Sequence, residues 1–221
     1  MKRLTFWFDV ISPYAHLAFE HLPQALQGLS YEVCYRPVLF AGLLKTHGHK
    51  GPAEIAPKRD WTFRDVAWQA RMLGVPLQTP AQHPFNPLPL LRLALACAAG
   101  PDGSIGTPNR RVVEALFRHV WHGGLDAVEP ARLAALRQAL QPALDPDSDA
   151  VRAALRAHGD AAVAAGLFGV PTVELDGRLF WGASALPMVA ACLRGGDPFF
   201  APGGPWDAEG IAPPGVVRRS G

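Results

Sequence analysis

Ser12 is the residue whose type and position suggest chemistry most directly. An apolar run from Leu4 to Phe8 predicts a buried strand, Asp9 to Ile11 predict a short turn, and Ser12-Pro13 predict the start of a helix. A serine hydroxyl caps a helix by accepting a backbone N–H that the first turn leaves unpaired. The same helix end stabilises a bound anion through its dipole and its free N–H groups. Ser12 is therefore either a structural cap or a hydroxyl placed beside a bound anion.

A second segment with functional potential lies near the C-terminus. Val173 to Leu175 is β-prone, Asp176-Gly177 is typical of a hairpin turn, and Arg178 to Trp181 is the predicted return strand. Pro171 precedes this hairpin, where it fits because proline cannot donate to a sheet ladder. The Val170–Pro171 bond can adopt the cis form, which would expose the Val170 backbone to a ligand.

The rest of the chain supplies the elements that must position these two segments. A second strand is predicted at Tyr31–Val38, and a final helix is predicted to start at Ser184 or a neighbour. Helices are predicted between them at Arg59–Leu73, Leu90–Ala99, Arg110–His122, Pro130–Leu140, Ser148–His158 and Asp160–Ala165. We therefore predict a β-containing unit formed by residues 1–40 and 160–196, interrupted by a helical domain at 41–159.

Residues 197–221 form a Pro/Gly-rich tail in which no regular helix or strand is predicted. We expect this tail to be extended or partly disordered. Phe199, Phe200 and Trp206 are its candidates for docking on a surface, such as that of a partner subunit.

Composition agrees with a soluble globular enzyme. Hydrophobic residues make up 49% of the chain, charged residues make up 18%, and the net charge is +2. This balance and the scattered arginines argue against a nucleic-acid partner. No apolar run reaches membrane-spanning length, and no signal-peptide cleavage site follows Lys2 and Arg3. We predict a cytoplasmic protein without a membrane partner.

The order of the predicted elements resembles the thioredoxin fold, and the long middle insertion resembles its DsbA-like branch. The segment FDVISPYAHLAF around Ser12, Lys45, residues 57–76 and the FWG at Phe180–Gly182 are similar to 2-hydroxychromene-2-carboxylate isomerases and kappa-class glutathione transferases. The resemblance covers Leu4 to about Leu193. It implies an α/β fold of thioredoxin type with a large all-helical insertion.

The resemblance also implies a mechanism and a cofactor, glutathione. The Ser12 hydroxyl would hydrogen-bond the glutathione sulfur and lower its pKa, because thiolate is the nucleophile. Thiolate addition to a conjugated double bond, followed by elimination, would isomerise an aromatic 2-hydroxychromene-2-carboxylate-like substrate from cis to trans. The implied catalytic residue is Ser12, and the implied cofactor-binding residues are Ser12, Val170, Pro171, Trp181, Gly182, Ala183 and Ser184. A homodimer is implied by the same analogy.

Four residues are implied to contact the substrate: Tyr14, Lys45, Asn86 and Pro87. Lys45 would pair with the substrate carboxylate, but it is equally well read as a solvated lysine. Asn86 before Pro87 is also a natural turn residue, and Tyr14 is also an ordinary helix-face aromatic. Trp7, Tyr14, Phe40 and Phe85 are candidates for aromatic walls.

Departures from the family pattern leave other functions open. The family's Gly-x-Asp-Arg, whose carboxylate meets the glutathione amino group, is Gly182-Ala183-Ser184-Ala185 in this chain. Ser184 accepts a hydrogen bond but offers no ion pair, which weakens the expected grip on glutathione. The alternatives are a kappa-class-like glutathione transferase and a non-catalytic thioredoxin-like binding module.

Cysteine and histidine usage excludes two further classes of site. Cys34, Cys97 and Cys192 are far apart and form no CxxC, so a dithiol oxidoreductase is not expected. His119 and His122 are three apart on a predicted helix but lack a third ligand nearby, so no metal site is predicted. His16, one turn after Ser12, is interpreted as a packed or surface histidine rather than a base.

Overall fold

The computed structural model describes residues 1–208, which form a four-stranded sheet with helices on both faces. The strands are β1 (Lys2–Phe8), β2 (Tyr31–Pro37), β3 (Thr172–Leu175) and β4 (Arg178–Trp181). The helices are α1 (Pro13–Ala25), α2 (Phe40–Thr46), α3 (Ala56–Leu73), α4 (Leu88–Ala96), α5 (Arg110–Trp121), α6 (Pro130–Leu140), α7 (Asp149–Ala164) and α8 (Leu186–Arg194). Single 3-10 turns occur at Pro52–Glu54, Ala183–Ala185, Pro198–Phe200 and Pro205–Asp207.

The sheet topology brings the two functional segments to one end of the sheet. The strand order is β2-β1-β3-β4, in which β1 pairs parallel with β2 and antiparallel with β3, and β3 pairs antiparallel with β4. Trp7 stands opposite Thr172, and Thr172 stands opposite Trp181. The last residues of β1, the first residue of β3 and the last residue of β4 therefore lie side by side.

Alternation along β1 divides the core between the two faces of the sheet. Leu4, Phe6 and Phe8 belong to the larger apolar cluster, which includes Phe19 of α1 and Phe117 of α5. Trp7 faces the other way and packs in a smaller cluster with Val38, Leu43, Ala162, Leu167 and Val170. Helices α1, α5 and α8 thus cover one face of the sheet, while α2 and α7 cover the other.

Helix α7 differs from the sequence prediction. Two segments, to His158 and from Asp160, were predicted, whereas one helix runs from Asp149 to Ala164 through Gly159. Burial of Val151, Leu155 and Ala162 outweighs the helix-propensity cost of one glycine, which is about 1 kcal/mol relative to alanine. The predicted division of the chain at residues 40 and 160 stays a prediction, although α4 and α5 share the core cluster with β1.

Other boundaries shift by a few residues, and the start of the tail is ordered. The predicted helix Leu90–Ala99 is α4, from Leu88 to Ala96. The tail's Phe200 and Trp206 pack on Phe180 of β4, with ring centroids 5.9 and 5.0 Å away, so they dock on their own chain. Residues 209–221 of the predicted tail lie outside the described residues.

Over residues 1–208, no helix combines the length and the apolar character needed to cross a membrane. Within the same range, no group of three or more metal-ligating side chains is arranged to hold an ion.

Candidate functional site

The predicted helix cap at Ser12 is confirmed. Ser12 has extended backbone angles (φ −86°, ψ 116°), and its Oγ accepts the Ala15 N–H at 3.2 Å. Pro13 occupies the first helical position, where its missing N–H costs nothing. The Ser12 side chain thus stands at the positive end of a 13-residue helix.

The Ser12 hydroxyl faces the backbone of the second functional segment, 158 residues away in sequence. Its Oγ donates to the Val170 carbonyl at 3.4 Å, and the Val170–Pro171 bond is cis. A distance of 3.4 Å is long for an O–H···O bond, whose usual length is about 2.7–2.8 Å. Among residues 1–208, this hydroxyl is the sole hydrogen-bond donor to that carbonyl. The hydroxyl and the carbonyl are therefore only weakly engaged with each other, in a place where Ser12 is 8% and Val170 is 6% exposed.

Asp9 shapes the turn that presents Ser12, a role that the sequence analysis missed. The Ile11 N–H donates to Asp9 Oδ1 at 3.1 Å, and the Ser12 N–H donates to the Asp9 carbonyl at 3.1 Å. Asp9 Oδ2 accepts the Phe40 N–H at 2.9 Å. Burial raises the pKa of this carboxyl to about 7, although the backbone N–H groups that it accepts pull the pKa down. The spacing from Asp9 to Ile11 is a local signal for an Asx turn, but the contact with Phe40 has no local signal.

Tyr14 is held by a carboxylate on α3. Its hydroxyl donates to Asp65 Oδ2 at 2.7 Å, and the same oxygen accepts the Gln69 side-chain amide at 2.8 Å. Burial and the neighbouring Asp65 raise the pKa of the Tyr14 phenol, so it remains a neutral hydrogen-bond donor. These contacts tie α3 to the first turn of α1.

The interpretation of His16 as a packed histidine is confirmed. The residue is fully buried, and its Nε2 donates to the Pro76 carbonyl at 3.1 Å. Its ring stacks on Trp121 with centroids 6.4 Å apart. Burial lowers the pKa of His16 to about 4, so the ring is neutral near pH 7.

Residues Trp181 to Ser184 follow β4 at the same end of the sheet. The Gly182 N–H donates to the Pro171 carbonyl at 2.9 Å, which fixes this segment beside the Val170–Pro171 loop. Trp181 alternates with the buried Phe180, so its indole lies on the sheet face opposite α1 and α8. Trp181 is 55% exposed, and its ring pairs with that of Phe168, with centroids 5.1 Å apart.

A cleft lies between α1, α3 and the segment that begins α8. Its volume is about 280 Å³, and its lining residues are His21, Trp68, Gln69, Met72, Leu73, Ala183, Ser184 and Pro187. Ser184, predicted to bind the cofactor, is exposed at its wall. This wall carries hydroxyl, amide and imidazole groups but no carboxylate, ammonium or guanidinium side chain.

Three of the four predicted substrate residues lie apart from the hydrogen bonds that connect Ser12, Val170, Pro171 and Gly182. Lys45 is exposed in the last turn of α2, and Asn86 is exposed before α4. Asn86 Oδ1 accepts the Leu88 N–H at 3.1 Å, which is the turn role that its sequence context also allowed. Pro87 is buried at the start of α4. The structure therefore joins Ser12, Val170, Pro171 and Gly182, and in residues 1–208 no hydrogen bond links Lys45 or Asn86 to them.

Of the four aromatic wall candidates, Trp7 and Phe85 pack in the core, and Phe40 is half-buried at the start of α2. Trp7 is 1% exposed and donates its indole N–H to Glu174 Oε2 at 2.9 Å. Phe85 is 8% exposed and packs in the larger cluster. Trp7 lies in an apolar strand, and Phe85 lies between Pro84 and Pro87. Neither sequence context distinguishes a core residue from a site residue.

The cysteines do not lie at the helix end that Ser12 occupies. Cys34 contacts Thr107, Cys192 is buried in α8, and burial raises the pKa of the Cys97 thiol to about 11. All three are free thiols. None has the environment of a reactive thiolate at the start of α1.

Comparisons with known proteins agree with this architecture. The family model described as a DSBA-like thioredoxin domain matches residues 3–194. The 2-hydroxychromene-2-carboxylate isomerase of Sphingobium xenophagum is 27% identical over 201 residues, covering 87% of this chain and 98% of that protein. Glutathione s-transferase kappa 2 of Caenorhabditis elegans is 25% identical over 221 residues, covering 91% of this chain and 95% of that protein. A solved structure of a 2-hydroxychromene-2-carboxylate isomerase superposes with a TM-score of 0.73 at 22% identity, covering 87% of this chain and 94% of that one.

Proposed function

The chain belongs to the DSBA-like thioredoxin domain family, and on that premise we propose that it is a glutathione-dependent cis–trans isomerase of aromatic 2-hydroxychromene-2-carboxylate-like compounds. Its relatives in this family are isomerases and glutathione transferases, which supports an enzymatic role. Ser12 stands where a redox member of the fold would need a low-pKa cysteine, so the reacting sulfur must arrive with a ligand.

One observation carries the proposal: the Ser12 hydroxyl lies between the N-terminus of α1 and the Val170 carbonyl. The helix end supplies partial positive charge, and the hydroxyl supplies a hydrogen that is held only by a long bond. Together they suit a sulfur anion, because charge-assisted hydrogen bonds are about twice as strong as neutral ones.

The donor set fits the thiol part of glutathione. Ser12 Oγ would donate to the sulfur, and the Val170 carbonyl would accept a peptide N–H, as a strand edge does for an added peptide. Ala183 and Ser184 follow Gly182, whose N–H is bonded to the Pro171 carbonyl. They offer one hydroxyl, but no charged side chain, for the two ends of the tripeptide. When bound, glutathione supplies the thiolate nucleophile for reversible addition to the substrate's conjugated double bond.

The chain's other residues would orient the substrate. Lys45 would pair with its carboxylate as a point charge. Tyr14 would present its ring at the first turn of α1, since its hydroxyl proton is donated to Asp65. Asn86 and Pro87 would hold the loop before α4 near the aromatic part of the substrate. We further propose a cytoplasmic homodimer, by analogy with the family.

A kappa-class-like glutathione transferase is the second candidate. It is supported by the 25% identity to a kappa transferase over 91% of this chain. It would use the same Ser12 site, but the electrophile would stay attached to the sulfur.

Two assays with the same protein separate these candidates. We expect 2-hydroxychromene-2-carboxylate to isomerise when glutathione is present and to remain unchanged when glutathione is omitted. Fast conjugation of a chloronitroarene without isomerisation would favour the transferase. Absence of both activities, with no calorimetric heat at millimolar glutathione, would refute both candidates and favour a binding module.

A further inference from the structure

We propose that Asp9 is a positioning residue that docks helix α2 against the Ser12 turn and thereby sets where Lys45 stands relative to the site. The importance of Lys45 rests on the proposed function, whereas the docking of α2 by Asp9 does not. Asp9 contacts neither cofactor nor substrate in this scheme and acts through α2.

The geometry around Asp9 is that of a buried junction between two elements. Asp9 has no exposed surface, and its two carboxylate oxygens accept from different segments. Oδ1 accepts the Ile11 N–H at 3.1 Å, within the turn before Ser12, and Oδ2 accepts the Phe40 N–H at 2.9 Å, at the first residue of α2. The residue before α2, Leu39, makes no side-chain cap, so the carboxylate of Asp9 serves as the cap of this helix.

The other end of α2 is anchored on the loop that carries Val170. His47, at the C-terminal end of α2, donates from Nε2 to the Leu167 carbonyl at 2.8 Å. Leu43, in the middle of the helix, is buried with Leu167 and Val170. Helix α2 therefore connects the Ser12 turn with the Val170–Pro171 loop, and Lys45 lies in the last turn of this helix.

A carboxylate at position 9 holds the Ser12 turn and α2 together better than an amide would, because both of its partners are N–H donors. An asparagine at position 9 accepts only through its carbonyl oxygen, so its NH₂ group would face one of the two N–H groups. The Ser12 turn keeps the bond from the Ser12 N–H to the Asp9 carbonyl and the Ser12 cap, neither of which needs the carboxylate. Asp9→Asn should therefore release α2 more than the Ser12 turn.

The protonation of Asp9 provides a second test. Since burial raises the pKa of Asp9 to about 7, its acceptor capacity falls as pH drops from 8 to 6. Two histidines bind backbone carbonyls in the segments that Asp9 joins: His83 binds the Ile11 carbonyl, and His158 binds the Pro37 carbonyl. Burial lowers the pKa of both histidines, which favours their neutral forms.

The experiment is hydrogen exchange of the α2 amides in wild type, Asp9→Asn and Glu174→Gln. Glu174→Gln is the matched control, because it removes a charge from a carboxylate that accepts a single N–H among residues 1–208, from Trp7. The amide oxygen of glutamine still accepts that N–H. We expect about tenfold faster exchange of α2 in Asp9→Asn, the effect of losing one charged hydrogen bond, and less than about twofold in the control.

Two further readouts distinguish positioning from general destabilisation. In Asp9→Asn, the KM for a carboxylate-bearing substrate should rise about tenfold while the dissociation constant of glutathione changes less than about twofold. In wild type, α2 protection corrected for intrinsic exchange should increase from pH 6 to 8, whereas in Asp9→Asn it should not. Unchanged α2 exchange in the variant, or pH-independent protection in wild type if the variant does not fold, would overturn the inference. If no protein shows turnover, the proposed function fails, and the exchange data still decide the role of Asp9.

Discussion

Replacing Ser12 by alanine removes the one side-chain hydroxyl that faces the Val170 carbonyl across the site. Two effects follow from the structure. The helix loses the cap on the Ala15 N–H, which costs about 1 kcal/mol of the free energy of unfolding. The bound thiolate loses a hydrogen-bond donor, and loss of one such donor typically lowers kcat by about 10²–10³, or roughly 3–4 kcal/mol.

Ser148→Ala separates these two effects. Ser148 caps α7 in the same way, with its Oγ accepting the Val151 N–H at 3.4 Å, and it lies in a different helix from Ser12. Both variants should therefore lose similar stability in urea denaturation, but only Ser12→Ala should lose turnover in the glutathione-dependent isomerase assay. Equal turnover in the two variants would refute the reasoning that assigns Ser12 to the sulfur.

The remaining predictions concern stability and substrate binding. His16→Gln should make the free energy of unfolding less dependent on pH on the acid side. As pH falls from 6.5 through about 4, wild type should lose roughly 3 kcal/mol relative to the variant. The reason is that native His16 stays neutral while the unfolded chain gains its proton. Parallel curves in urea titrations at several pH values would contradict this. Gly159→Ala should stabilise the protein by about 1 kcal/mol, since Gly159 lies inside α7 with open space at its Cβ position. Gly177→Ala should destabilise it, because Gly177 has φ +75°; thermal unfolding giving the same sign for both would count against the fold. Lys45→Met should raise the KM for a carboxylate substrate about tenfold, as measured by initial rates, with Lys50→Met as the exposed control; equal effects would exclude Lys45.

Local signals account for the parts of the fold that were predictable. Ser12-Pro13 marks the start of α1, Asp176-Gly177 turns between β3 and β4, and Asn109 caps α5 through the Val112 N–H. Each of these signals acts within about four residues, so a single sequence is enough to detect it.

Features that depend on long-range contacts were missed. Helix α2 is only seven residues long, and its cap Asp9 lies 31 positions before Phe40. The local sequence therefore contains no pattern that predicts this helix. Gly159 suggested a break, but burial of neighbouring α7 residues decides that segment. Trp181 is exposed because successive side chains of β4 point to opposite faces of the sheet and Phe180 faces the core. The sequence alone does not tell which of the two residues faces the core.

The central claim, that the end of α1 holds a ligand's sulfur as thiolate, is tested most directly by titrating bound glutathione. The ultraviolet absorbance of the thiolate, measured against pH in wild type and Ser12→Ala, reports its pKa. We expect a pKa below that of free glutathione in wild type and a rise of at least one unit in Ser12→Ala, equivalent to about 1.4 kcal/mol. A bound thiol that titrates like free glutathione, or identically in both proteins, would contradict it.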